Sequence, residues 1–104
     1  MKRVAFTMKL NKGCAAEYKR RHDQIWTELS SLLTGMGIRE YSIFLDEPGG
    51  TLFGYLQIED PARLDELRKE PLMWKWWNYM ADIMDTNADD SPTSYPLQEV
   101  FYLP

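Results

Sequence analysis

The spacing of apolar residues along this chain switches between a period of two and a period near 3.6, and the order of those switches limits the folds available to it. Over residues 3–10, Val4, Phe6, Met8 and Leu10 alternate with Ala5, Thr7 and Lys9, which predicts a half-buried strand. Asn11-Lys12-Gly13 interrupts that strand. Over residues 14–34, Ala15, Tyr18, Ile25, Trp26, Leu29, Leu32 and Leu33 fall within a helical arc of about 120°. This predicts a single helix, closed by Gly35 and Gly37. Residues 38–46 and 51–59 return to alternation around Glu47-Pro48-Gly49-Gly50, the signature of a hairpin. Asp60-Pro61 then opens a short helix through about Lys69, and Glu70-Pro71 opens another that runs to about Met84. A polar loop follows over 85–96, and Leu97 to Leu103 reads as a fourth strand.

Strand, helix, strand, strand, helix, strand is the α+β ferredoxin-like order, an antiparallel sheet with helices on one face. With 104 residues there is room for a single domain spanning 1–104. The face of the sheet away from the helices is not uniformly polar. Phe53 and Tyr55 alternate with Leu52 and Leu56, and Val100 and Tyr102 alternate with Phe101 and Leu103. A soluble monomer would expose one of those faces as a large apolar patch. A two-fold homodimer, with the C-terminal strand at the contact, would cover it.

Composition narrows the function. The net charge is −4, with 12 basic against 16 acidic residues, and only Lys19-Arg20-Arg21 clusters positive charge, so nucleic acid is not an expected partner. No apolar run approaches the length of a membrane span, and Val4-Ala5-Phe6 is too soon interrupted to be the core of a secretory signal. The single cysteine, Cys14, makes no internal disulfide, and the expected location is the cytoplasm.

His22, the sole histidine, falls in the middle of the apolar arc, one turn beyond Tyr18. It reads either as a core histidine satisfied by a hydrogen bond or as a proton-transfer group at a cavity between Tyr18 and Trp26. Trp74, Trp76, Trp77 and Tyr79 crowd the later helix. Trp76 and Trp77 splay to either side of its inner arc, where they serve as core and dimer contact or as a platform for the C–H faces of a sugar ring. Tyr41 opens the second strand on its apolar face, as a core residue or a hydroxyl contact for a ligand.

Other chemistries lack their residues. Asp85, Asn87 and Asp89 imitate the start of a calcium loop without its glycine, and Pro96 stands where the final glutamate belongs. One histidine and one cysteine do not assemble the usual zinc sites. There is no glycine-rich phosphate loop and no nucleophile elbow.

The stretch Glu17-Tyr18-Lys19-Arg20-Arg21-His22-Asp23-Gln24-Ile25-Trp26 resembles the first-helix signature of the bacterial L-rhamnose mutarotases. Tyr41-Ser42-Ile43-Phe44-Leu45-Asp46, Trp76-Trp77-Asn78-Tyr79-Met80-Ala81-Asp82-Ile83-Met84 and the closing Leu97-Gln98-Glu99-Val100-Phe101-Tyr102-Leu103-Pro104 are similar to the rest of that family's pattern. The resemblance runs over essentially the whole chain. It implies a dimeric α/β-barrel arrangement, His22 as proton donor, and Tyr18, Tyr41, Trp76 and Trp77 as sugar-binding residues. Thr27 departs from the pattern, which usually has proline after the tryptophan.

Exchange of anomers opens a hemiacetal and closes it on the other face. It involves no redox step and leaves no lasting charge, so it implies no metal and no cofactor; it needs an acid, a base and the exclusion of competing water. At an ordinary pKa of about 6.5, roughly a quarter of His22 would be protonated at pH 7. The residues do not single out a base: a tyrosine is too weakly acidic to be largely ionised, and a carboxylate or an ordered water would serve. A cofactor-free or haem-degrading oxygenase of the same barrel class, and a sugar-binding module without catalysis, are the competing readings. They predict, respectively, oxygen uptake or a haem spectrum, and binding without faster exchange.

Overall fold

A computed structural model describes all residues, Met1–Pro104. Strand β1 (Lys2–Lys9) is followed by helices α1 (Ala15–Asp23) and α2 (Thr27–Gly35), then by strands β2 (Arg39–Asp46) and β3 (Thr51–Ile58). A 3₁₀ segment (Pro61–Lys69), helix α3 (Pro71–Met80), a 3₁₀ turn (Ala81–Ile83) and strand β4 (Tyr95–Leu97) complete the chain. The strands lie in the order β2-β3-β1-β4, every neighbouring pair antiparallel, which is the ferredoxin-like α+β sheet expected from the alternation pattern.

One face of the sheet carries Met8 and Leu52 into a core with Leu29 of α2 and Met73, Trp76 and Met80 of α3, while Leu56 and Ile58 form a second cluster with Ile38, flanked by Leu33, Leu64 and Leu67. The hairpin turns where expected. Gly50 sits at φ +71°, and a Cβ there would lie 2.9 Å from the Leu10 carbonyl oxygen, so both backbone angle and space call for glycine. Asp60 accepts a hydrogen bond from the Ala62 N–H at 3.1 Å, with Pro61 in the first turn, as its sequence predicts. The segment it opens winds as 3₁₀ rather than α, however, and α3 ends at Met80 rather than Met84. Met84 is instead extended and bridges to Leu10.

The helix expected over 14–34 is two helices. The apolar arc continues in phase across 24–26, which hides the interruption, but Trp26 is extended at φ −59° and ψ 133° and stands as the cap of α2. The fourth strand also differs from the expected Leu97–Leu103. It pairs only through Tyr95, Pro96 and Leu97, opposite Thr7, Phe6 and Ala5. Beyond it the chain is held by side chains instead of a ladder: Arg3 grips the Glu99 carboxylate through two hydrogen bonds at 2.8 and 3.0 Å and lies 3.5 Å from the centre of the Tyr102 ring.

Thr27 takes the first position of α2, where proline's fixed φ suits the helix and its missing N–H is no loss. The preceding Trp26 already has the extended backbone that proline demands of its neighbour. Thr27→Pro is therefore expected to stabilise the fold by about 0.4–1 kcal/mol, read as a higher urea midpoint at unchanged slope; a lower midpoint would mean that the Thr27 N–H is in use.

Candidate functional site

Between the helices and the sheet lies a cavity of about 1140 Å³, and Tyr18, His22, Tyr41, Trp76 and Trp77 all line it. Each arrives by a different local cause. On α1, Tyr18 and His22 are separated by one helical turn and stack, with ring centres 4.3 Å apart and planes inclined by 26°. Trp76, from the buried stripe of α3, meets the imidazole edge-on at 5.3 Å and 90°. Trp77 diverges from Trp76, as two adjacent helical residues must. It is half-buried and packs perpendicular to Trp74 at 4.7 Å, with the Arg68 guanidinium 5.7 Å from its centre. Trp76 thus belongs to the histidine and Trp77 to the cavity wall.

Tyr41 reaches the cavity through an irregularity in the sheet. The register between β2 and β3 slips by one residue between Arg39 and Ser42, and within that bulge Glu40 has a left-handed φ of +52°. Ser42 resumes pairing opposite Tyr55, which leaves Tyr41 on the helix side with Ile43 and Leu45. The Tyr41 ring rests edge-on against Phe6 at 6.3 Å. Phe6 in turn lies flat over Gly54, where an added Cβ would fall 2.3 Å from the ring.

The hydrogen bonds and burial set protonation. His22 Nδ1 lies 3.1 Å from the Tyr18 carbonyl oxygen, and a carbonyl only accepts, so Nδ1 carries a proton. Burial lowers the His22 pKa from its ordinary 6.5, partly offset by that hydrogen bond and by the charge of Asp23, so less than the expected quarter is protonated at pH 7. Burial raises the Tyr18 hydroxyl, with the nearby Tyr41 hydroxyl adding to the effect. Although 39% of Tyr41 is exposed, its hydroxyl is the enclosed end, and burial pushes it up to about 12. Both tyrosines stay neutral hydrogen-bonding groups at physiological pH.

Trp26, expected on the cavity wall beside Tyr18, does not line the cavity; with Tyr79 and Arg21, which sequence reasoning gave no role in the site, it supports the wall from behind. Trp26 stands perpendicular to Trp76 at 5.0 Å, and Tyr79 contacts both rings at 5.6 Å. The helical arc shared by Trp26 and His22 carried that contact in the sequence, and Tyr79, one turn beyond Trp76, was a further signal. Arg21 is only 8% exposed and ties the end of α3 and the turn after it to α1: it donates to the Asp82 carboxylate at 2.8 and 3.2 Å, to the Tyr79 carbonyl at 2.7 Å and to Glu17 at 2.7 Å. No pattern in the sequence points to Gly54 or to the bulge at Glu40.

A family model described as L-rhamnose mutarotase matches residues 3–103. The chain is 54% identical over 101 residues to an L-rhamnose mutarotase of Flavobacterium johnsoniae, covering 97% of this chain and 94% of the relative. It is similar along its full length to the crystal structure of L-rhamnose mutarotase from Formosa agariphila, with a TM-score of 0.93, 49% identity and 100% of both chains covered. Tetracenomycin F2 cyclase from Streptomyces glaucescens shares the fold at 16% identity, with a TM-score of 0.64 over 100% of both chains.

The network around Arg21 makes an acid-dependent prediction. Hydrogen bonds from Arg20 and then Arg21 hold the Glu17 carboxyl down to about 2 from its ordinary 4.5. A depressed folded-state pKa contributes stability that is present above pH 4.5 and is lost as pH falls toward 2. Glu17→Gln should remove that part of the pH dependence, flattening a plot of thermal midpoint against pH across this window. An unchanged slope would show that Glu17 gains nothing from its two arginines.

Proposed function

We infer that this chain, which belongs to the L-rhamnose mutarotase family, interconverts the α and β anomers of L-rhamnose and does so with His22 as its proton donor. The observation that carries the assignment of His22 is the sole histidine stacked on Tyr18 and edge-on to Trp76, at a cavity that both aromatics line.

Opening a pyranose requires a proton at the ring oxygen as the C1–O5 bond breaks. His22 supplies it. A positioned acid of this kind contributes on the order of 10²–10⁴ in rate. Tyr18 and Tyr41, kept neutral by burial, donate and accept hydrogen bonds to the sugar hydroxyls. The rings of Trp76 and Trp77 face its C–H surfaces, which suits a partly apolar 6-deoxy sugar. The surrounding thioethers and indoles keep the opened aldehyde away from bulk water. Since exchange neither oxidises nor reduces the sugar, no cofactor enters it. The free, half-buried Cys14 suits a reducing cytoplasm, where we place the enzyme.

The assembly we propose is a homodimer of the α/β-barrel kind. On the helix-free side of the sheet, Phe44 is 68% and Tyr95 64% exposed, and the tail beyond β4 adds Val100 and Phe101 at 89% and 76%. A second copy burying this surface would close an apolar patch that water otherwise meets. Light scattering of active protein is expected to give twice the 12.3 kDa of the chain; active monomer would remove the assembly.

Two substitutions test the site. His22→Ala should keep the fold and lose most exchange, measured by saturation-transfer NMR of L-rhamnose anomers, whereas near wild-type exchange would take His22 out of the chemistry. Trp77→Ala is the clean probe of the sugar platform because Trp76 is also part of the core. Its sugar affinity should fall by about 1–3 kcal/mol, and an unchanged affinity in folded protein would return Trp77 to packing.

A further inference from the structure

We propose that His22 enters the cycle as a neutral imidazole whose Nε2 first takes the anomeric hydroxyl proton and then gives that proton to the ring oxygen, so that one nitrogen is both base and acid. The inference rests on the anomer-exchange reading above and supplies the base that the sequence left open.

The geometry begins with the Tyr18 carbonyl. Because it holds the proton on Nδ1, the neutral ring has its lone pair on Nε2. Nε2 makes no hydrogen bond within the chain and is not sealed from solvent, on a residue that lines the cavity. A neutral His22 therefore presents an acceptor, not a donor, to an arriving hydroxyl.

No charged side chain makes a hydrogen bond to the imidazole. On α1, Lys19 and Asp23 pair with each other at 3.1 Å, so Asp23 touches the imidazole only through space. Arg21 is taken by Glu17 and Asp82. From α3 the ring meets the uncharged Trp76, with Tyr79 behind it. From β2 comes Tyr41, and the stacked Tyr18 is likewise neutral. The other carboxylates on the cavity wall, Glu40 and Asp65, make no hydrogen bond to His22. Burial, which lowers the imidazole pKa, favours the same neutral starting state.

The step balances without a second group. Nε2 takes the proton of O1; the O1–H electrons form the C1=O1 double bond; the C1–O5 pair leaves with O5; and O5 takes the proton now on Nε2. Rotation about C1–C2 presents the other face of the carbonyl, and the same transfers in reverse close the ring. O1 and O5 share one carbon, so they lie closer together than the length of a hydrogen bond, and one nitrogen reaches both with a small shift of the sugar.

The test is the pH profile of kcat/KM for L-rhamnose anomer exchange by wild-type enzyme from pH 5 to 9, with uncatalysed exchange subtracted. A neutral base predicts a plateau at and above pH 7 and a fall below the His22 pKa approaching about tenfold per pH unit. A rate that falls as pH rises through 6.5 would mean that the imidazolium is the working form, and would overturn the shuttle while leaving the mutarotase reading intact. Absence of exchange at every pH would overturn both. Glu40→Gln and Asp65→Asn provide the second arm. Whatever either does to KM, each is expected to keep the fall in rate below the His22 pKa, and a loss of kcat on the order of a hundredfold in either would identify a separate base and end the proposal.

Discussion

A single guanidinium joins the two helices that make this site. Arg21 is next to His22 on α1, and its planar fork reaches the Tyr79 carbonyl at the far end of α3 and the Asp82 carboxylate in the turn after it, while the Tyr79 ring lies 4.5 Å from its carbon. Trp76, one turn earlier on α3, is thereby held at the edge of the imidazole. A lysine in the same place would supply charge but not the fork that satisfies carboxylate and carbonyl together. The apolar core that Tyr18 shares with Met73, Trp76 and Met80 holds the helices on the sheet, and the Arg21 link adds a directional constraint at their ends. Together they keep the aromatic contacts Tyr18–His22, His22–Trp76 and Trp26–Trp76 in one geometry.

The same burial acts on three titratable groups in a consistent direction. It lowers the imidazole and raises both phenols, so each is driven toward its uncharged form. The result is a cluster of neutral donors and acceptors around the imidazole, while Lys19, Asp23, Glu40, Asp65 and Arg68 bring charge to other parts of the cavity wall. Such a site suits a polyhydroxylated ring that carries no charge and passes through none that lasts.

Much of this was legible in the residues, because the alternation in 3–10, 38–46 and 51–59 is a direct image of a sheet with one covered face. His22 and Trp76 were legible for the same reason, since both fall on inward-facing helical arcs. The break at 24–26 was not, because an in-phase apolar arc carries no information about backbone angles; the departure at Thr27 from the pattern the chain resembles was the one local clue. The C-terminal strand was overread because alternating apolar residues look the same in a ladder and in a tail pinned by Arg3 to Glu99. Trp77 looked equivalent to Trp76 only until its contacts with Trp74 and Arg68 separated them. Gly54 and the left-handed Glu40 were silent, because both matter through neighbours distant in sequence or through a register slip.

The bond between His22 Nδ1 and the Tyr18 carbonyl spans a single helical turn. The orientation and tautomer of the reactive ring are thus written into a short run of α1 and do not depend on the sheet. Tyr41 and Trp77, by contrast, reach the cavity from β2 and α3. On the proposed reading, exchanges at those two positions would change which pyranose fits while leaving the imidazole's tautomer as α1 sets it.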